Sequence, residues 1–199
     1  WGKQRFDFDG RLINTEGTVR GIDGEVQFQD IFEKLRDKQI KVGLGGSFVS
    51  KFQADNNTSL ILPQNVGSYG GRMNFGYKGF YLEGEYVHKE NDPSFDNGYH
   101  YNNGYGLLFT TGYSMKGLGI VLQAKSIDNM SFRSDRNATL TDAMINFLPA
   151  LTKTHTYNLA ATLYPYATIP QGEVAFQADV IYTIPRKTKI GGKYGTTIN

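Results

Sequence analysis

The chain has 199 residues, with 24 Gly, 13 Tyr, 13 Phe, no Cys and a formal net charge of +2. That length suits a single β domain over residues 1–199, or part of a larger one. The lack of Cys removes disulfides, thiolate metal clusters and thiol catalysis. The balanced charge leaves no electrostatic footprint for nucleic acid, and no run of about 18 apolar residues is present to form a transmembrane helix. No leader pattern is visible at Trp1, so export implies a mature or excised chain.

In chain order, helical periodicity is confined to residues 30–38, where Ile31, Phe32 and Leu35 predict one or two turns of a connector. Everything after it reads as strand and loop. Ile40, Val42, Leu44, Phe48 and Phe52 alternate with Lys41, Ser47 and Lys51, and the glycines 43, 45 and 46 within this run suit close packing or sheet curvature rather than a phosphate loop. Met73, Phe75 and Tyr77 then lead into Lys78-Gly79, after which Phe80, Leu82 and Tyr86 continue the same apolar face. With Lys78 and Gly79 as the two turn residues, Phe75 faces Leu82, Asn74 faces Glu83 and Arg72 faces Glu85, so that Arg72 and Glu85 are expected to form an ion pair.

The pattern repeats: Tyr105, Leu107, Phe109, Tyr113 and Met115 precede Lys116-Gly117, and Leu118, Ile120 and Leu122 follow it. Tyr157, Leu159 and Leu163 predict a further strand over 157–163. Val174, Phe176, Val180, Tyr182 and Ile184 predict another, and 189–198 begins one more, with Ile190 and Tyr194 on one side. Such runs approach the 9–11 residues that a tilted strand needs to cross a bilayer.

Connections alternate in length. They are short or compact near 36–39, at Lys78-Gly79, at Lys116-Gly117 and over 164–172, and long over 53–67, 89–104 and 126–153. In a meander every second connection falls at one end of the sheet, so the long loops should gather together, as they do in outer-membrane barrels. Tyr77, Phe80, Tyr113, Tyr164 and Tyr166 are expected near the short turns, and Tyr86, Tyr105 and Tyr182 toward the other end, as two aromatic girdles. The fold expected is all-β: an antiparallel up-and-down transmembrane β-barrel of which about eight or nine strands lie here, a partial segment of a larger barrel.

Four stretches, YGGRMNFGYKGFYLEGEYVHKENDP, KGLGIVLQAKSIDNMSFRSDR, FLPALTKTHTYNLAATLYPYATIPQGEVAFQADVIYTIP and GGKYGTTI, resemble an uncharacterised family of outer-membrane β-barrel proteins of Bacteroidetes, a domain-of-unknown-function family. The resemblance covers roughly residues 70–199. It implies a cell-envelope barrel located in the bacterial outer membrane and brings no catalytic motif with it.

Candidate chemistry is sparse. His88 and His155 fall on the apolar parity at loop ends and His100 lies in a loop; no Ser stands in a nucleophile elbow. Catalytic residues are therefore not expected, and the protein reads as a non-enzyme without a cofactor. Asp92 and Asp96 lie in a loop rich in Asn but without the spacing of a calcium loop, and turn formation accounts for them. The charges of polar parity, Lys41, Lys51, Arg72, Glu83, Glu85, Lys125, Glu173 and Asp179, share one face. Arg72, Glu83, Glu85 and Lys125 are the candidates to line a lumen, with structural pairing as the simpler account. Arg133, Asp135 and Arg136, in the longest loop, are candidates for a constriction or a partner contact, against the alternative that they are solvated. The function expected is that of a porin, solute channel or envelope-complex subunit, with outer-membrane lipid and other envelope proteins as partners. The alternatives are a soluble all-β binding module for carbohydrate and, behind it, a lipid-modifying barrel enzyme.

Overall fold

The computed structural model describes residues 1–8, 11–139, 142–149, 151, 168–193 and 195–198, without the side chains of 6–8, 11 and 12. A short hairpin, β1 (Arg5–Phe8) and β2 (Arg11–Asn14), precedes the main sheet. The sheet consists of β3 (Thr18–Gln27), β4 (Ile40–Phe52), β5 (Asn65–Tyr77), β6 (Phe80–Lys89), β7 (Gly104–Met115), β8 (Leu118–Asp128), β9 (Gly172–Ile184) and β10 (Thr196–Ile198). These eight strands are antiparallel and each pairs with its chain neighbour. The sheet is open, with β3 and β10 at its edges, so the closed ring expected of a barrel is not formed among the described residues.

The register follows the alternation. Tyr77 pairs with Phe80, Phe75 with Leu82, Asn74 with Glu83 and Arg72 with Glu85, and Met115 pairs with Leu118 across the second Lys-Gly turn. Glycine serves the two turns differently. At Lys116-Gly117 the glycine itself takes the left-handed φ of 82°, whereas in the first turn Lys78 does so, at 52°. Gly79 is required there because a Cβ would collide with the Ser114 carbonyl, and the Ser114 N–H donates to Gly79 O at 2.7 Å.

Between β3 and β4 run two short helical turns, α1 (Phe28–Ile31) and α2 (Glu33–Asp37), close to the connector predicted for 30–38. The strand expected over 157–163 lies outside the described residues. β8 pairs directly with β9 from Leu118↔Tyr182 to Asp128↔Gly172. That pairing moves Tyr182 to the short-turn end, beside Leu118, and not to the opposite end where the girdle pattern had put it. The final strand is shorter than its alternation suggested: Lys189–Lys193 form turns, and pairing begins only at Thr196.

One face of the sheet is apolar and uncovered. Ile22, Leu44, Met73, Tyr86, Leu107, Phe109, Leu122, Phe176 and Val180 all lie on it, Phe176 with 79 % and Leu44 with 50 % of its surface exposed. The Phe48–Tyr69–His88–Tyr105 row crosses this face at the long-loop end, and the Tyr77–Phe80–Tyr113 row crosses it at the short-turn end. The chain's small buried core is elsewhere, beneath the loops on the polar face, and includes Val66, Ile127, Met130 and Phe132.

Candidate functional site

All eight charges of polar parity lie on the face opposite the aromatic rows, because cross-strand partners share a face. The rungs Gly45–Arg72–Glu85–Leu108–Lys125–Ala175 and Gly43–Asn74–Glu83–Thr110–Gln123–Gln177 run straight across the sheet. The ion pairing, however, does not follow the rungs. Arg72 stands opposite Glu85 in the ladder, yet its guanidinium binds Asp23 through Nη1 at 2.7 Å and Nη2 at 2.8 Å, and Glu25 through Nε at 3.0 Å. The expected Arg72–Glu85 pair is thereby corrected. Gly45 lies between Arg72 and Glu25, and a Cβ there would stand 2.7 Å from Arg72 Nε. The bare glycine lets the long side chain lie flat over β4 and reach two carboxylates on β3. Ser47 completes the group, accepting from Nη1 at 2.9 Å and donating to Asp23 at 2.6 Å. A bidentate fork with a second carboxylate is stronger than a single partner across the ladder.

Glu83 and Glu85 are left without a hydrogen-bond or ion partner among the described residues. Further along the same rung Lys125 is fully engaged: its ammonium meets Glu173 at 2.7 Å, Thr168 Oγ1 at 2.7 Å and the Pro149 carbonyl at 3.0 Å.

At the long-loop end the connections pack into one another. The segment 53–64 touches 90–103 where Tyr101 Oη donates to Ile61 O at 2.9 Å, and Arg136 Nη2 donates to Pro63 O at 2.8 Å. Gln53, buried at the end of β4, accepts from both the backbone N–H and Nε of Arg136, at 3.0 and 3.1 Å. Its own amide donates to Glu16 and to Asp135. Arg133 is buried between Asp96, at 3.3 Å, and the Asp142 carbonyl, at 2.8 Å. Beneath them Lys51 and Lys89 have no exposed surface. Lys51 meets Asp92 at 2.7 Å, and Lys89 donates to the Ser131 carbonyl at 2.8 Å. The N-terminal segment joins in, with Ser134 Oγ donating to Gln4 at 2.6 Å.

Arg133, Asp135 and Arg136 thus fold inward and are held by partners in the loops and just past the end of β4, whereas Arg72, Glu83, Glu85 and Lys125 lie along the polar face, Lys125 buried there. Sequence reasoning did not find Gln53, Lys89 or the roles of Asp92 and Asp96. A signal existed for Lys89, which shares parity with Glu83 and Glu85; Gln53 carried none. Asp92 and Asp96, weighed as calcium ligands, each face a cation of the protein instead.

Between this knot and the polar face lies a hollow of about 420 Å³. Its floor includes Gly70, Val87, Gly106 and Leu108, and its roof Met130, Phe132, Ile145 and Leu148. A second hollow of about 210 Å³ adjoins it and shares Glu85 and Leu108.

An antiparallel meander with one polar, charge-bearing face and a knot of loops at one end is an all-β architecture without a recognisable reaction centre among its described residues. The chain belongs to a family of unknown function (DUF6029), whose model matches residues 1–199 and so extends over the first 69 residues as well. No curated protein and no solved structure matches it.

Proposed function

We propose that this sheet is the wall of a transmembrane β-barrel in the outer membrane of a diderm bacterium, of the kind its resemblance to Bacteroidetes barrels implies. In this reading it serves as a porin, solute channel or envelope-complex subunit and carries out no catalysis. The observation that carries the reading is the uncovered apolar face, bounded by an aromatic row at each end and backed by a charged face. An exposed apolar surface of this extent demands a partner. Lipid fits it, because the thirteen residues of β4 or β5, at a rise of ~3.4 Å and tilted by ~40°, span a hydrocarbon layer of ~30 Å. In lipid the open backbone edges, that of β3 at one side and those of β10 and the stretch of β9 that β10 leaves uncovered at the other, must be paired, so the reading requires further strands to complete the ring.

The loop knot caps one mouth of the barrel and narrows the passage beneath it to the lumen bordered by Glu83, Glu85 and Arg72. Outer-membrane barrels carry their long loops on the cell exterior, and the knot is assigned to that side.

Membrane fractionation followed by detergent extraction tests this reading. The protein is expected in the outer-membrane fraction, soluble only with detergent, with a belt of detergent density around the apolar face. A monodisperse, detergent-free protein would instead favour a soluble binding module.

A further inference from the structure

We infer that the hollow beneath the loop knot is a binding site for a hydrophobic amine, whose apolar body fills the hollow and whose ammonium group rests at Glu85. This deepens the proposed function, and rests on it, by naming the class of molecule that the lumen holds.

The hollow has the volume of a small-molecule site and a largely apolar lining. Its floor is apolar along the rung Gly70–Val87–Gly106–Ile127, and the next rung from the loops brings the charges of Arg72, Glu85 and Lys125. Gly70 and Gly106 in its floor carry no side chain; at Gly70 this lets the Val87 side chain lie close, where a Cβ would stand 2.9 Å from Val87 Cγ2.

The polar groups that remain available are acceptors. Glu85 borders both hollows and has no partner among the described residues. Asn146 Oδ1 in the roof is buried and accepts no hydrogen bond, while its amide nitrogen donates to the Met130 carbonyl at 2.7 Å. Lys125, the cation of the lining, is already occupied by Glu173, Thr168 and Pro149. Arg72, the cation of the adjoining hollow, is turned to Asp23 and Glu25. A ligand carboxylate would therefore meet Glu83 and Glu85 without a free cation to receive it. A protonated amine meets two unpaired carboxylates. A hydroxyl satisfies the acceptors but gains no charge attraction.

The test is calorimetric titration of the protein in lipid nanodiscs with 2-(1-naphthyl)ethylamine, 2-(1-naphthyl)ethanol and 1-naphthylacetate, with empty nanodiscs subtracted. The amine is expected to bind at least ~10-fold more tightly than the alcohol, and the acid more weakly than either. Glu85→Gln should bring the amine to the affinity of the alcohol. Val87→Trp, which fills the hollow, should weaken all three, and Leu108→Phe is the milder variant to use should Val87→Trp lose its heat-modifiable folded band. Equal binding of amine and acid, or affinities unmoved when the hollow is filled, would overturn the inference. Failure of the membrane reading is seen separately, as solubility without detergent, and the titration then runs in buffer against the same criteria.

Discussion

Arg72 and Glu85 are ladder partners on adjacent strands, yet the Arg72 guanidinium crosses β4 over Gly45 to bind Asp23 and Glu25 on β3. Three strands are thereby tied together on the polar face, and Glu85 is released from structural duty.

Double-mutant cycles separate these two relationships. Arg72→Ala with Asp23→Ala should show coupling in the urea midpoint, while Arg72→Ala with Glu85→Ala should be additive. Gly45→Val is expected to displace the guanidinium and reproduce the loss of the Arg72–Asp23 coupling. Equal coupling of Arg72 to Glu85 would mean that the side chain follows the ladder after all.

The pair Lys51–Asp92 is buried on both sides, with 0 % and 1 % side-chain exposure. Removing one partner leaves an uncompensated charge, so Asp92→Ala should destabilise by about 3–5 kcal/mol. Replacing both, as Lys51→Met with Asp92→Leu, should recover most of that loss, and comparison of the unfolding midpoints decides it.

Gln53 joins the end of β4 to residue 136 through two accepted hydrogen bonds. Gln53→Ala removes the partner of the buried Arg136 Nε and of its backbone N–H, leaving the guanidinium its bond to Pro63 O. It should cost about 2–3 kcal/mol and make the segment around Asn137 sensitive to protease, while strand content measured by circular dichroism stays the same. An unchanged digestion pattern would show that the knot is held without Gln53.

The register was legible in the sequence for a physical reason: a two-residue Lys-Gly turn between strictly alternating strands admits one pairing that keeps Phe75, Leu82 and their neighbours on one side. The gathering of the long loops was legible in the same way, from the alternation of connection lengths. The destination of Arg72 was not, because it depends on a missing Cβ on the strand in between, a property of three strands at once. Nor was the knot, whose bonds join residues as far apart as Gln53 and Arg136 or Gln4 and Ser134. Tyr182 was misplaced because the strand expected over 157–163 set the direction in which β9 was read, whereas β9 pairs directly with β8.

Acid should loosen the 53–64 loop. The Asp55 carboxylate accepts the Leu62 N–H at 2.9 Å and the Asn57 N–H at 3.0 Å, and these two backbone donors hold its pKa below the usual carboxylate value. A carboxyl lowered in the folded state contributes stability above its unfolded pKa, near ~4, and loses it as pH falls through the folded value. A ¹³C titration of the Asp55 carboxyl should place its midpoint below that of an unstructured peptide, and Asp55→Asn should remove the acid-dependent part of the loop's opening. An ordinary midpoint would show that the two N–H groups do not bind it.

Cysteine labelling in intact membranes distinguishes a sheet whose apolar face meets lipid and whose charged face meets water from any other placement. Single cysteines replace Leu82 and Leu107 on one face and Glu83 and Glu85 on the other. A membrane-impermeant maleimide is expected to modify the Glu83 and Glu85 positions, whereas fluorophores at Leu82 and Leu107 are expected to be quenched by nitroxide-labelled lipid. Equal maleimide reactivity at all four sites, with no lipid quenching at Leu82 or Leu107, would contradict the lipid-facing placement.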